Sequence, residues 1–330
     1  MNIEITTKLR GTKLTAWRSL LADSGLSTDE QVDRTVLIWD EDELIATGSR
    51  VENIFKYIAV KADRQGEDIT AKLISALRAD AFDYGYKHLF LYTKPENERI
   101  FSSLFFYPVA ATNRVLLMEN KNNGIGDFLS SLNVNKRDGI IGSVVMNCNP
   151  FTLGHQSLIE RAAGECDYLY IFVLSEDKSL FSHDDRIAMV RSGTEHLSNV
   201  EVLPTGPYLI SSATFPSYFI KDKENLGEIQ CLLDIEIFTR YFAPTFSISR
   251  RYVGTEPLSP TTEQYNRALS AHLPAHGIEL IEIERKTFNE VPISASLVRE
   301  YIASGETDKL VDLLPQTTLD YLRKKRIDID

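Results

Sequence analysis

A chain of 330 residues exceeds one ordinary hydrophobic core, so two domains are expected. Its formal net charge of −11 and pI near 5.2 argue against a nucleic-acid binder, although a local basic pocket for phosphates is compatible with both. The three cysteines, Cys148, Cys166 and Cys231, form no Cys-x-x-Cys pair, which argues against a disulfide framework and a structural zinc site; with no apolar run of signal-peptide or bilayer length, the sequence reads as a soluble, cytoplasmic protein without a membrane partner.

Residues 1–120 read as a mixed α/β domain. "TVLIWDEDELIATGSR" gives two strands around a polar turn, and "IFKYIAVK" a third. "DITAKLISALRADAFDYG" places apolar residues at helical spacing and stops on Gly85. "HLFLYT" returns as a strand, "ENERIFSSLFFYP" reads as a short helix halted by Pro108, and "ATNRVLLME" as the last strand. The Asn-, Gly- and Ser-rich stretch 121–138 is expected to be a linker with a short helix at its centre.

From 139 to 330 the pattern alternates. The strands "IIGSVVMN", "YLYIFVL", "VEVLPTG", "SRRYVG" and "IELIEIER" are separated by the helical stretches "GHQSLIERAAGE", "HDDRIAMVRSGTEHL", "EIQCLLDIEIFTRYFA" and "TTEQYNRALSAHL", with "SASLVREYIASG" following. Such alternation predicts a doubly wound parallel sheet with ligands at the carboxyl ends of its strands.

Two constellations fall on that edge. The first is Thr152-x-Gly154-His155, where an apolar strand runs through "NPFTLGH" into a helix. Unpaired N–H groups and the positive dipole end favour an anion there, and Thr152 and His155 can add donors to phosphate oxygens. Gly154 either admits a bulky ligand to the backbone or serves close helix–strand packing. Thr152 can also be a plain N-cap; with His rather than Glu or Gln three residues on, no capping box is expected. The second constellation is "ISASLVR", with Ser294 and Ser296 at a helix start and Arg299 one turn in, which suits a second phosphate corner. Its plainer reading is an N-capping Ser294 and a solvated Arg299. In a doubly wound sheet the two corners can meet, one on the α-phosphate and one on the leaving β,γ-phosphates.

Together, "NPFTLGH" and "ISASLVR" resemble the two signatures of the nucleotidylyltransferase superfamily of the His/Thr-x-Gly-His type. "GSVVMNCNPFTLGHQSLIERAA", "VLSEDKSLFSHDDRIAMVRSGT" and "RYVGTEPLSPTTEQYN" narrow the resemblance to the citrate lyase ligase family, over nearly the whole chain. In that family the N-terminal part resembles a Gcn5-related acetyltransferase domain. The resemblance implies an ATP-dependent ligase that forms acetyl-adenylate from acetate. It would then acetylate the prosthetic-group thiol, derived from CoA, on the acyl-carrier subunit of citrate lyase, with Mg²⁺ accompanying the ATP. It also implies that Thr152, His155 and Arg299 contact the phosphates, with Gly154, Ser294 and Ser296 completing the two signatures. Asn147 and Cys148 would line the nucleotide pocket through backbone atoms, Lys178 and Arg186 would add cationic groups, and Gly254 of "GTEP" would border the adenine.

The acetyltransferase resemblance departs at "RQGEDITAKL". Asp68 stands where the middle Gly of a pyrophosphate loop is expected, and Glu67 beside it adds a second repelling charge. That domain is therefore expected to recognise the carrier or its CoA-derived group rather than to transfer acetyl from acetyl-CoA. Two alternatives to the ligase stay open: an adenylyltransferase acting on a phosphate ester such as phosphopantetheine, and an acyltransferase whose second domain only senses nucleotide.

Overall fold

The structure is a computed structural model that describes residues 1–330 other than 29–30, 67, 177–178, 210–214, 221–225, 256–259 and 326–330. The chain divides into two units: Met1–Gly124 with Phe215–Glu236, and Ile125–Thr214 with Ile237–Asp330.

In the first unit the chain runs β1 (Asn2–Thr6), α1 (Gly11–Asp23), β2 (Arg34–Asp40), β3 (Glu43–Val51), β4 (Ile54–Val60), α2 (Ile69–Asp83), β5 (Phe90–Thr93), α3 (Glu98–Ser102), β6 (Tyr107–Ala111) and β7 (Leu116–Glu119). The strands form one mixed sheet in the order β1-β2-β3-β4-β5-β7-β6. The apolar stripe of α2, with Leu73, Ile74, Leu77 and Ala81, covers Val36, Ile38, Ala46 and Phe55. Leu77 packs onto Gly48, where an added Cβ would lie 2.8 Å from its Cδ1. β4 and β5 are parallel and pair only at Ile54–Phe90 and Phe55–Leu91. A cavity of about 540 Å³ borders both strands, and Tyr218 and Phe219 of the returning segment help to line it. Asp68 precedes α2 in the left-handed region (φ 55), which Asp tolerates better than most residues; its neighbour Glu67 lies outside the described residues.

One stretch differs from the sequence expectation. The helix in "ENERIFSSLFFYP" stops at Ser102, and Pro108 sits inside strand β6. β6 is an edge strand, where a missing N–H is tolerated.

The chain continues through α4 (Gly124–Ser131), β8 (Ile141–Met146), α5 (Leu153–Gly164), β9 (Tyr168–Val173), α6 (His183–Thr194), β10 (Val200–Pro204), α7 (Leu226–Ile237), a π-helical turn (Phe238–Phe242) and α8 (Ala243–Phe246). Then follow β11 (Arg250–Gly254), α9 (Pro260–His272), β12 (Glu279–Ile283), the small hairpin β13 (Thr287–Phe288) and β14 (Val291–Pro292), α10 (Ala295–Ser304) and α11 (Gln316–Lys324). The stretch expected as linker thus holds α4, with Ile125 and Leu129 buried. The segment Phe215–Glu236 groups with the first unit, an excursion that the alternating pattern does not announce.

The second unit is built on a five-stranded sheet in the order β10-β9-β8-β11-β12, parallel throughout. Helices cover both faces. On one, Ile159 and Ala162 of α5, Met189 and Val190 of α6 and Leu322 of α11 pack with Val144, Leu169 and Ile171. On the other, Tyr170 and Phe172 of β9 meet Phe246, with ring centroids 4.9 and 5.3 Å apart. The α/β, doubly wound fold expected from the alternation is the one observed. β8 and β11 pair only through Gly142–Arg250 and Ser143–Arg251, so no ladder joins their carboxyl ends. The strand order reverses at that pair, the position where sheets of this kind bind ligands. Among the described residues no helix is long and apolar enough to cross a membrane.

Candidate active site

β8 delivers Asn147 to the carboxyl edge of the sheet, and the chain then turns sharply. Cys148 takes a left-handed backbone (φ 52) and Asn149–Pro150 is cis before Thr152 caps α5. The side chain of Arg186 fixes this turn. Its Nη1 donates to the Asn147 carbonyl (2.9 Å), to Asn147 Oδ1 (2.8 Å) and to the Leu174 carbonyl (2.7 Å). Its Nε donates to the Phe181 carbonyl (3.2 Å), and its Nη2 to the carbonyl of Glu176. Arg186 is completely buried. The sequence placed it beside the phosphates; the structure places it beneath the turn, holding main chain. Cys148 is also buried and does not line the cleft, and desolvation pushes its thiol well above its ordinary pKa.

Thr152 and His155 form the closed pair that the sequence rule did not anticipate. Thr152 Oγ1 accepts the His155 N–H (3.4 Å), and the Thr152 N–H donates to His155 Nδ1 (3.1 Å). This is a capping box in which an imidazole nitrogen replaces the usual carboxylate or amide oxygen, because the rule requires an acceptor at that place rather than a Glu as such. The Thr152 hydroxyl lies 2.9 Å from the same Nδ1. An accepting Nδ1 puts the proton of the neutral ring on Nε2, which is then a donor. The imidazole stacks on Phe151 at 5.9 Å and 15°. It lines the cleft, and desolvation draws its pKa down to about 4, with the positive charge of Arg285 acting in the same direction.

The second signature lies directly against the first. A Cβ on Gly154 would come within 2.9 Å of the Ile293 carbonyl, so this glycine serves the close approach of two backbones. Ser294 caps α10, its Oγ accepting the Leu297 N–H at 3.2 Å. Arg299 Nη1 donates to the Asn149 carbonyl (2.6 Å) and Nη2 to Ser296 Oγ (3.0 Å). One guanidinium therefore ties the second helix start to the turn of the first.

The cleft is about 380 Å³, within the range of small-ligand sites. Asn147 lines it from just past β8, Thr152, Gly154, His155, Ser294 and Ser296 from the two signatures, and Gly254 from the end of β11. Arg299 braces the cleft from behind its lining. Lys178 lies outside the described residues, as do Glu256 and Pro257 of "GTEP". Sequence reasoning missed Arg251, Tyr265, Asn266, Glu284 and Arg285, which also line the cleft. Asn266 Nδ2 donates to the Gly254 carbonyl (2.9 Å) and to Glu282 Oε1 (3.1 Å), which holds the far wall. Arg285 stands just past β12 on the carboxyl edge, the position that the strand rule singles out. Among the described residues no group of three or more His, Cys, Asp or Glu side chains gathers a metal site.

The family model described as the citrate lyase ligase C-terminal domain matches residues 141–322. The citrate (pro-3S)-lyase ligase of Klebsiella pneumoniae is 38% identical over 303 residues, covering 90% of this chain and 89% of that protein. The phosphopantetheine adenylyltransferase of Clostridium botulinum (strain 657 / Type Ba4) is 39% identical over 96 residues, covering 28% of this chain and 54% of its own. The crystal structure of Escherichia coli ElaA aligns with a TM-score of 0.32 at 18% identity, covering 36% of this chain and 100% of that one. A match that spans the full architecture, and includes both signatures of the cleft, assigns the chain to the citrate lyase ligase family.

Proposed function

We propose that the second unit binds ATP at the switch point of its sheet and lets acetate displace pyrophosphate. The acetyl group then passes to the thiol of the CoA-derived prosthetic group on the acyl-carrier subunit of citrate lyase. The observation that carries this is the contact of the two signatures: the Arg299 bond to the Asn149 carbonyl and the packing of Gly154 on Ile293 place both helix starts on one cleft. Two helix N-termini that open on one cleft, with imidazole and guanidinium donors among its lining, suit a polyanion.

In the first step an acetate oxygen attacks the α-phosphorus. The bond from that phosphorus to the bridging oxygen breaks, and its electron pair leaves with pyrophosphate. His155 Nε2–H and the α5 start would hold the α-phosphoryl oxygens, while Ser294, Ser296 and the α10 start receive the departing phosphates. In the second step the carrier sulfur attacks the acetyl carbon, AMP leaves with the electron pair of its C–O bond, and the thiol proton passes to water. Mg²⁺ belongs to this proposal as a companion of the triphosphate, since it commonly binds through phosphate oxygens and water. It would neutralise phosphate charge. The cytoplasm is the proposed setting, on the strength of three free cysteines.

The partial likeness to a phosphopantetheine adenylyltransferase supports a second reading, with a phosphate ester as acceptor. Hydroxylamine trapping separates the two. Purified protein with ATP, acetate and hydroxylamine is expected to give acetyl-hydroxamate and pyrophosphate in equal amounts. Pyrophosphate released only when phosphopantetheine is supplied would reject the ligase in favour of the second reading, and ATP binding without any turnover would reject both.

A further inference from the structure

We infer that Arg285 is a direct phosphate ligand of the cleft, the cation that faces His155 across the nucleotide's phosphate chain. This rests on the nucleotide site proposed above and adds a residue that neither signature contains. Three observations converge on it. Arg285 lines the cleft from the loop just past β12, at the carboxyl edge of the sheet. That loop is laced to the end of β11: the Arg285 N–H donates to Thr255 Oγ1 (3.1 Å), and the Thr255 N–H donates to the Ile283 carbonyl (2.9 Å). The main chain that carries the guanidinium is thus fixed independently of its side chain.

Gly254 supplies the second observation. Arg285 Nε lies 3.9 Å from where a Cβ on Gly254 would stand, an ordinary van der Waals distance, so the side chain lies beside the end of β11 along the cleft wall. Gly254 of "GTEP", expected to border adenine, also lies beside this cation.

The third is electrostatic. The charge of Arg285 acts on His155, and both side chains line the same cleft. In a chain of net charge −11 a triphosphate needs local positive groups. Glu284 also lines this wall, and a carboxylate there raises the need for an adjacent guanidinium before a polyanion can enter. Arg rather than Lys suits the task, because its planar fork can bridge two phosphoryl oxygens.

The test compares wild type with Arg285→Gln and Arg285→Lys in the full chain, using calorimetric titration with ATP, AMP and adenosine. Arg285→Gln is expected to weaken ATP about 10- to 100-fold, as loss of a hydrogen bond to a charged group does, and to leave adenosine unchanged. Arg285→Lys is expected to recover part of the ATP affinity. By NMR the His155 ring in Arg285→Gln should titrate at higher pH than in the wild type. ATP affinity within about threefold of wild type, or an equal loss for ATP and adenosine, would overturn the assignment. The outcome is separable from hydroxamate formation: a wild type that binds ATP through Arg285 but traps no acetyl group would refute the ligase proposal and leave Arg285 in place.

Discussion

Replacing His155 by Ala is expected to lower the rate of acetyl-adenylate formation about a hundredfold while the protein still folds. This is the usual effect of removing one preorganised donor from a developing charge. The observed place of His155 in the cap and its proposed role as a phosphate donor can be separated. Nδ1 accepts the Thr152 N–H and closes the start of α5, while the tautomer this enforces turns Nε2–H into a donor. Ala abolishes both, and loss of the cap should cost about 1 kcal/mol in a denaturant titration. His155→Gln restores a conventional box residue at the same place, so it should regain that stability yet remain at least about tenfold slow. Full recovery of rate in the Gln variant would reduce His155 to a cap.

The pH dependence follows from the same environment. The unfolded chain protonates this side chain near its ordinary value of about 6.5, whereas the folded protein holds it neutral down to about 4. Protons therefore favour the unfolded state, and stability is lost as pH falls from about 6.5 toward 4. His155→Gln should show a shallower decline over that window in urea melts. The rate of adenylate formation should show no inflection near 6.5 attributable to His155.

Arg186→Ala is expected to lower stability by about 3 kcal/mol or more and to weaken ATP binding along with it. The side chain is completely buried and donates to the carbonyls of Asn147, Leu174, Glu176 and Phe181. Truncation leaves those acceptors without their donor and opens a cavity under the turn that leads to Thr152. Arg186→Lys should be intermediate, because one ammonium cannot match the span of the fork. Denaturation midpoints and ATP titrations check both variants. A stable Arg186→Ala protein that had lost only ATP affinity would restore the direct phosphate role that the sequence suggested.

The parallel sheet was legible because its buried strands are nearly continuous apolar runs separated by amphipathic helices, and strand alternation places both signatures on one edge. The contact between them was not legible, since 150 residues separate Asn149 from Arg299 and only the strand order closes that distance. Pro108 misled because proline stops a helix and is also tolerated in an edge strand, and sequence does not reveal which strand is the edge. His155 misled because the capping rule is written in residue names, whereas the backbone requires an acceptor. Arg186 was expected beside the phosphates on resemblance, and nothing in its own spacing records that carbonyls from separate loops converge on it. Lys178 lies outside the described residues, and its role rests on resemblance alone.

The most direct measurement of the central claim is ATP–pyrophosphate exchange with labelled pyrophosphate, run with and without acetate and in the absence of any carrier. The account predicts label entering ATP only when acetate is present, and close to a hundredfold more slowly in His155→Ala. Exchange that ignores acetate, or none at all from a folded protein that binds ATP, would contradict it.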